Sequence, residues 1–255
     1  MGWKALYEQL GALAPADRAV WQDIYVKFCM GFLEGNRWKL YLKGLASTLE
    51  LTVIALVLGI ILGVVVAVVR TAHDQQRLGH KNPLLGFFNG LCKVYTTVIR
   101  GTPMLVQLLI WGFVIFKSSR NLTMVGALGL GVNSGAYVAE IVRGGLMSVD
   151  IGQTEAGRSL GLNYFDTMRF IVIPQAFKNI LPSLGNEFIT LFKDTSLVGA
   201  IGGMELVYYA QAIGGKTFEP MFPYFGIALL YLVFVMLLTW LQGKLERRLR
   251  QSDRR

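Results

Sequence analysis

The sequence predicts an all-α membrane protein, a polytopic helical bundle of about five transmembrane helices, on three observations. Apolar residues make up 53% of the 255 residues and charged residues only 16%, whereas soluble domains carry about 25% charged residues. The mean hydropathy is +0.48. Uncharged runs approach the roughly 20 residues that a helix needs to cross a bilayer. This much apolar surface excludes a disordered chain and argues against a soluble domain.

The five segments predicted to cross the membrane are residues 51–69, 94–116, 121–139, 188–213 and 224–243. The first and the last are uncharged and supply the strongest signals. The second contains Arg100 and Pro103, and the third is rich in small residues, which favours a position inside the bundle. The fourth is the weakest because Lys193, Asp194 and Glu205 interrupt it.

Residues 1–44 form an N-terminal extension before the first predicted span. Its apolar side chains recur at helical spacing: Val20, Trp21, Ile24, Tyr25, Phe28 and Phe32. Pro15 and Asp17 mark a plausible helix start. An amphipathic helix in the membrane interface and an ordinary helix packed on the bundle both produce this pattern. The remaining divisions are a transmembrane domain at residues 45–250 and a basic cytoplasmic tail at residues 251–255.

The distribution of basic residues predicts the orientation in the membrane. Lys and Arg concentrate after the first, third and fifth predicted spans, at positions that include Arg70, Arg77, Lys81, Lys93, Arg143, Arg158, Arg169, Lys178 and Lys244. The short segments on the opposite side hold only Lys117, Arg120 and Lys216. Because cytoplasmic loops are enriched in Lys and Arg, we expect an external N-terminus and a cytoplasmic C-terminus. The net charge of +9 is therefore interpreted as membrane topology and not as nucleic-acid binding.

The longest polar stretch lies between the third and fourth predicted spans, and it predicts two short capped helices. Asp150, with Gln153 three residues later, begins the first helix in the manner of a capping box. Gly161 supplies the left-handed residue that ends it. Asn163 caps a second helix that runs to Pro174. Two helices that project from the membrane in this way are suited to docking a partner.

The same stretch resembles a known motif. Glu155-Ala156-Gly157, then Gly161 after three residues, then Ile171-Val172-Ile173-Pro174 after nine more, resembles the EAA motif of permease subunits of ATP-binding-cassette (ABC) importers. That motif reads E-A-A, three residues, G, nine residues, I-x-L-P. This chain departs from it at Gly157, which replaces the second alanine, and at Ile173, which replaces leucine.

Three further runs resemble the polar-amino-acid permeases of the histidine, glutamine and arginine type. They are Tyr95–Gln107 (YTTVIRGTPMLVQ), Asn133–Gly145 (NSGAYVAEIVRGG) and Leu184–Gly199 (LGNEFITLFKDTSLVG). The resemblance extends over about residues 45–250. It implies the type I ABC importer permease fold, with the two short helices as a cytoplasmic coupling helix-turn-helix.

The resemblance also implies partners in the bacterial cytoplasmic membrane. They are a second permease copy or a homologue, two cytoplasmic ATP-binding subunits, and an extracytoplasmic amino-acid-binding protein. The residues expected to couple to the ATPase are Glu155, Ala156, Gly157, Gly161, Ile171 and Pro174. Since the sequence contains no Gly-x4-Gly-Lys-Ser/Thr loop, ATP and magnesium are expected at the partner subunits and no cofactor on this chain.

A zwitterionic substrate requires donors for its carboxylate and acceptors for its ammonium group, and interrupted helices supply both. The candidate pathway residues are Asn133, Ser134, Asp194, Thr195 and Ser196. Gly131 and Gly135 belong either to this site or to a helix contact, whereas Gly59 and Gly63 are interpreted as packing residues. Glu140 is predicted to pair with Arg143 or with a neighbouring span.

Other classes of function find little support in the sequence. Cys29 and Cys92 lack metal-ligand spacing, and His73 and His80 lie away from any carboxylate cluster, so we expect neither a metal site nor catalytic residues. An importer of a related small solute and a stand-alone secondary carrier are the alternatives. The carrier is less favoured because the spans show no clear internal repeat.

Overall fold

The computed structural model describes residues 2–76 and 82–252, with side chains described as far as residue 249. Within those ranges the α-helices are, in chain order, α1 (Trp3–Gly11), α2 (Val20–Phe28), α3 (Trp38–Asp74), α4 (Pro83–Gly101), α5 (Met104–Ile110), α6 (Leu122–Met147), α7 (Ile151–Ser159), α8 (Tyr164–Thr167), α9 (Ile173–Asp194), α10 (Leu206–Thr217) and α11 (Met221–Ser252). The described residues contain no β-strand. The predicted all-α fold is confirmed.

Three π-helical turns extend the α-helices without a break in the helical path. They are Cys29–Leu33 after α2, Trp111–Ile115 after α5 and Met168–Val172 between α8 and α9. A 3₁₀-helix, Thr195–Ile201, follows α9 directly. π-helical and 3₁₀-helical segments are common near functional sites. The π-turn Met168–Val172 precedes α9 and the 3₁₀-helix Thr195–Ile201 follows it.

Three helices are long and apolar enough to cross a bilayer unbroken: Trp38–Asp74, Leu122–Met147 and Met221–Leu249. They contain the first and fifth predicted spans and all of the third except Asn121, which caps α6. The second predicted span, residues 94–116, is divided between α4 and α5, which meet at a bend of 108°. The break follows from Pro103, which holds the preceding Thr102 in an extended conformation (φ −118°, ψ 143°).

The fourth predicted span, residues 188–213, is wrong as a single helix. Helix α9 ends at Asp194, the 3₁₀-helix follows, and α10 begins only at Leu206. Gly202 adopts a left-handed conformation (φ +85°) that ends the 3₁₀-helix. The Glu205 carboxylate then caps α10 by accepting hydrogen bonds from the backbone N–H of Val207 (2.7 Å) and Tyr208 (2.8 Å). Glu205 is fully buried and serves the backbone at this break.

Helices α3 and α6 run in the same direction and pack at very short range. A Cβ atom on Gly59 would lie 2.7 Å from Ser134 Oγ, and one on Gly63 would lie 2.6 Å from Val138 Cβ. Glycine is therefore required at both positions, which confirms their interpretation as packing residues.

The reciprocal contacts come from the glycines of α6. A Cβ on Gly131 would lie 2.6 Å from Leu58 Cδ2, and one on Gly135 would lie 2.7 Å from the Tyr95 hydroxyl oxygen. These two glycines, for which the sequence left a choice, therefore serve the helix contact.

The N-terminal extension leads into α3 without a gap at residue 44, because α3 begins at Trp38. Helix α2 leaves the predicted apolar side chains Val20, Trp21 and Ile24 at least half exposed. Lys27 ties this helix to the segment before α11: its Nζ lies 3.0 Å from Asp23 Oδ2 and 3.3 Å from Glu219 Oε2. These two hydrogen bonds raise the pKa of Lys27 above its ordinary value.

Some residues used to predict the orientation lie elsewhere than expected. Lys93 is inside α4, which begins ten residues earlier at Pro83. Arg77 and Lys81 lie outside the described residues. Of the predicted tail, residues 253–255 lie outside the described part, and α11 continues through Ser252.

Candidate functional site

The two broken spans border a polar cavity of about 300 Å³, here called the polar cavity. Its lining residues come from the α4–α5 bend, from α6 and from α9: Thr102, Met104, Asn133, Tyr137, Glu187, Thr190 and Asp194. Positions 187, 190 and 194 are spaced three and four apart, so α9 presents one face to the cavity. Polar and ionisable residues within membrane-spanning helices cost free energy, so a polar cavity among them indicates a functional site.

A chain of amide hydrogen bonds fixes the α4–α5 bend beside the cavity. Asn133 Nδ2 donates to Gln107 Oε1 (3.0 Å). Gln107 Nε2 donates in turn to the carbonyl oxygens of Ile99 (2.7 Å) and Thr102 (3.1 Å) and to Thr102 Oγ1 (2.8 Å). These bonds satisfy backbone carbonyls that the break leaves without helical partners, and they orient Asn133 from α6 toward the bend.

The α9 wall of the cavity carries two carboxylates, Glu187 and Asp194, and an arginine lies close to the α6 wall. Ser134 Oγ donates to Glu187 Oε1 (2.7 Å), which holds the Glu187 carboxylate from the α6 side. Asp194 lies about two turns further along α9. The Arg100 guanidinium lies over the ring of Tyr137, 5.3 Å from its centroid. Acceptors for an ammonium group and a donor for a carboxylate therefore lie within one region.

The predicted pathway residues divide into three groups. Asn133 and Asp194 line the polar cavity. Ser134 is fully buried behind it and holds Glu187. Thr195 is fully buried and donates to the carbonyl oxygen of Phe192 (2.7 Å), and Ser196 is not among the lining residues.

The sequence reasoning considered Glu187 only as one of several charged residues within spans and did not assign it to the site. Thr190 and Tyr137 were missed. The available signal was the spacing of Glu187, Thr190 and Asp194 on one helical face.

Glu140 forms an ion pair with Arg70 of α3, and Arg100 Nη1 lies 4.0 Å from the same carboxylate oxygen. Arg143 pairs instead with Asp74 at 3.0 Å. Of the two alternatives for Glu140, the neighbouring span is therefore correct. Both pairs join α3 to α6 at the end of the bundle where α3 terminates, and they reinforce the glycine contact between these helices.

A second site is the helical elbow, which we define as residues 150–174. Both predicted cap residues cap their helices: Asp150 accepts from the backbone N–H of Gly152 (2.6 Å), and Asn163 Oδ1 accepts from that of Asp166 (2.9 Å). The predicted capping box with Gln153 does not form, because the Gln153 side chain accepts from Gln175 Nε2 instead. Gly161 is left-handed (φ +85°). The N–H of Gly161 donates to the carbonyl of Arg158 and that of Leu162 to the carbonyl of Gly157, which is the hydrogen-bond pattern of a Schellman motif.

The second helix of the elbow does not end at Pro174, and this part of the prediction is wrong. The chain remains helical from Tyr164 to Asp194 through the π-helical turn Met168–Val172. A proline inside a helix clashes with the carbonyl four residues earlier. The wider π-turn immediately before Pro174 relieves that clash, because the Ile173 N–H bonds to the carbonyl of Met168, five residues back.

The six predicted coupling residues occupy different environments. Glu155 and Ala156 are exposed on α7, and Pro174 is exposed at the start of α9. Gly157 is buried against α8 and the π-turn: a Cβ there would lie 2.9 Å from Ile171 Cδ1 and 3.1 Å from Thr167 Cγ2. Glycine in place of the motif's second alanine therefore permits a closer approach of the two elbow helices.

Side chains attach the elbow to the bundle. The Tyr164 hydroxyl donates to Gln75 Oε1 at the end of α3. Asn179 Nδ2 donates to Ser148 Oγ (2.8 Å), and Gln175 Nε2 donates to Gln153 Oε1 (3.2 Å). The elbow is thus held to α3 by Tyr164 and to α9 by Gln153, and the Asn179–Ser148 bond joins α9 to the end of α6 beside it.

Apolar helices that span a membrane, a polar cavity at two broken spans and a capped elbow at one end together define an integral-membrane transport component. Residues 59–251 match the family described as binding-protein-dependent transport system inner membrane component, and the chain belongs to that family.

Individual relatives agree with this family. The chain is 37% identical over 187 residues to the arginine transport system permease protein ArtQ of Bacillus subtilis, covering 67% of this chain and 84% of that protein. It is 36% identical over 166 residues to the glutamine transport system permease protein GlnP of Escherichia coli, covering 64% and 76%. It is also similar to the crystal structure of an amino acid ABC transporter with histidines (TM-score 0.74, 39% identity, 82% of this chain and 94% of that one). The resemblance to ABC importer permeases and the fold that it implied are confirmed.

Proposed function

We propose that this chain lines the translocation pathway for a polar amino acid in an ATP-driven importer, and that the polar cavity is part of that pathway. The observation that carries the proposal is the continuous helix from Tyr164 to Asp194. It forms the second half of the elbow at one end and contributes Glu187, Thr190 and Asp194 to the cavity at the other. The names of the arginine and glutamine permeases support an amino acid as the cargo.

The chemistry of the cavity suits an amino acid. The carboxylates of Glu187 and Asp194 complement an ammonium group, and a charge-assisted hydrogen bond of this kind contributes about 1.5–3 kcal/mol. The Arg100 guanidinium, over the Tyr137 ring, supplies a positive charge beside the cavity that suits a substrate carboxylate. A second positive charge on the side chain of a cationic amino acid would find the second carboxylate.

The elbow has the surface of a docking site for the ATPase. Its exposed apolar side chains lie close together in sequence, and the most exposed are Ile151 (74%), Leu160 (82%) and Phe165 (81%). Exposed apolar groups of this size, set among polar neighbours, mark protein interaction sites. One elbow from each of two permease chains would meet two ATP-binding subunits, which would hold ATP and magnesium.

The helix joining the two sites supplies the mechanical connection. Its 31 residues extend over roughly 45 Å at 1.5 Å per residue. Closure of the ATPase dimer would move the elbow, and α9 would move with it as a packed element. The cavity wall formed by Glu187, Thr190 and Asp194 would shift relative to α6.

The contacts of the elbow favour the orientation inferred from the charges. Tyr164 binds Gln75, so the elbow lies at the same end of the bundle as the end of α3. Gln242 of α11 donates to Asn186 Oδ1 (2.8 Å), and Phe234 stacks on Phe192 further along α9, so α11 runs antiparallel to α9 with its C-terminal residues toward that same end. Docking of a cytoplasmic ATPase there would put the C-terminus in the cytoplasm and the N-terminus, before α3, outside. An external binding protein would deliver the amino acid at the opposite end.

The proposal is tested by purification and reconstitution. The full-length permease is expected to copurify with an ATP-binding subunit. Vesicles containing the complex and a cognate binding protein should accumulate an amino acid only when ATP is supplied on the elbow side. Vesicles with the permease alone should accumulate none. ATP-independent uptake by the permease alone would contradict the proposal and favour a secondary carrier.

Neutralising a cavity carboxylate is expected to weaken substrate recognition. Asp194→Asn and Glu187→Gln should each raise the KM for ATP-driven uptake about tenfold or more. A charge-assisted bond contributes about 1.5–3 kcal/mol, and a loss of about 1.4 kcal/mol already corresponds to a factor of ten. The exposed α3 carboxylate Glu50, which is not among the cavity-lining residues, supplies the matched control Glu50→Gln. An unchanged KM for both arginine and glutamine in both cavity variants would exclude the cavity from the pathway.

A further inference from the structure

The C-terminal part of α11 carries an open, concave face with about 440 Å³ of space against it, here called the basic groove, and all of its lining residues belong to α11. Its lining includes Met236, Thr239 and Trp240 in the apolar part of the helix, and Gly243, Lys244 and Arg247 in the part that follows. Among the described residues, no acidic side chain lines this groove. Its two cationic side chains therefore give it a net positive charge.

The basic groove begins at Val235, beside the face of α11 that packs on the bundle, and extends around the helix to the side that faces away from α9. The face that packs on α9 carries Gln242, whose Nε2 donates to Asn186 Oδ1 (2.8 Å) and to Glu246 Oε1 (3.2 Å). Trp240 and Lys244 are each two residues from Gln242, and at 100° per residue they lie about 160° around the helix from it. Met236 (63% exposed) and Trp240 (54% exposed) show that this side of α11 is open.

The position of the groove along α11 matches the boundary between acyl chains and headgroups. The uncharged run 224–243 has 20 residues, which cover about 30 Å of hydrocarbon. Lys244 is the first charged residue after that run. Met236 and Thr239 therefore lie at the depth of the acyl chains, and Lys244 and Arg247 lie at the depth of the headgroups.

The local geometry suits a phosphate group. The Lys244 ammonium lies over the Trp240 ring, with Nζ 3.6 Å from the ring centroid, so a cation–π contact holds it at the groove. Gly243, one turn before Arg247, has no atom within 4 Å of its Cβ position and leaves the helix surface open beside the two basic residues. A tryptophan at this depth is also a usual membrane-interface residue.

We propose that the basic groove binds one anionic phospholipid, with the headgroup phosphate between Lys244 and Arg247 and an acyl chain along Met236 and Thr239. Clusters of basic residues beside a membrane span attract anionic lipids, with about 1 kcal/mol for each Lys or Arg near the surface. A zwitterionic phospholipid offers no net charge to this pair and is expected to bind less tightly.

Native mass spectrometry of the full-length permease, with the subunits that copurify, tests the proposal. The protein is reconstituted into vesicles of equal phosphatidylglycerol and phosphatidylcholine, and extracted again. We expect the wild type to retain phosphatidylglycerol in preference to phosphatidylcholine. The variant Lys244→Gln/Arg247→Gln should retain at least fivefold less phosphatidylglycerol with phosphatidylcholine unchanged.

Arg248→Gln is the matched control, because Arg248 is an exposed neighbour that is not among the lining residues. It should retain phosphatidylglycerol as the wild type does. Undiminished retention in the double variant, or equal loss of both lipids, would overturn the proposal. A change in the number of permease chains per particle would assign the groove to a second copy instead. Lys244→Gln alone serves the same test if the double variant fails to accumulate.

Discussion

Replacing Gly161 with valine is expected to lower both substrate-stimulated ATP hydrolysis and uptake at least tenfold, while the permease still inserts in the membrane. Gly161 is left-handed, with φ +85°, a conformation that β-branched residues almost never adopt. No atom lies within 4 Å of its Cβ position, so the effect comes from the backbone and not from a clash. A valine there would cost about 1–3 kcal/mol or force the Schellman turn to open. Once the turn opens, Leu160 and Phe165 would no longer present one surface.

Gly161→Asn separates conformation from side-chain size. Asparagine tolerates the left-handed region, and the open space around Gly161 accommodates its side chain. We therefore expect near-normal uptake and near-normal hydrolysis, measured in the same vesicles as for valine. If Gly161→Val retained both activities, or if Gly161→Asn lost them equally, the elbow would not be the coupling element.

Replacing Gly63 with valine is expected to destabilise the contact between α3 and α6 strongly. A Cβ there would lie 2.6 Å from Val138 Cβ and 2.9 Å from the backbone nitrogen of Ala139. Because one of these contacts is backbone, α3 and α6 must separate to admit any side chain. Overpacking in a tight core costs about 1–3 kcal/mol, and we expect about 3 kcal/mol here. Thermal unfolding of the purified permease, followed by circular dichroism at constant lipid and detergent, measures the change.

Gly90→Val is the matched control for this substitution. Gly90 also lies inside a helix, α4, but it has no atom within 4 Å of its Cβ position. The helix propensity term is therefore similar in the two variants, and their difference reports the α3–α6 contact. Equal melting temperatures for the two variants would contradict the packing described at Gly63.

Features set by neighbouring residues could be predicted from the sequence. The caps at Asp150 and Asn163 and the left-handed Gly161 follow from side-chain chemistry within three residues. The membrane-spanning parts of α3 and α11 could be predicted from the hydropathy of the chain alone. The glycines at positions 59 and 63 were also interpretable, because their spacing of four places both on one helical face.

Features set by distant residues could not be predicted in the same way. Hydropathy responds to apolar residues and not to backbone conformation. It therefore predicted one continuous fourth span and gave no sign of the left-handed turn at Gly202 or the helix cap at Glu205. Glu187 and Thr190 became cavity residues only because α9 turns that face toward α6. Pro174 indicated a helix end, and only the π-turn preceding it explains why the helix continues. Half-buried polar residues within spans were thus the least predictable part of the site.

The unbroken path from the elbow to the cavity also has a thermodynamic consequence. If nucleotide bound by the ATPase changes the affinity of the cavity for the amino acid by some factor, the amino acid must change the affinity for nucleotide by the same factor. Helix α9 would then transmit the effect in both directions: occupancy of the cavity would change nucleotide binding at the ATPase, and nucleotide binding at the ATPase would change the affinity of the cavity. The chain that forms the pathway would thereby also sense its own cargo.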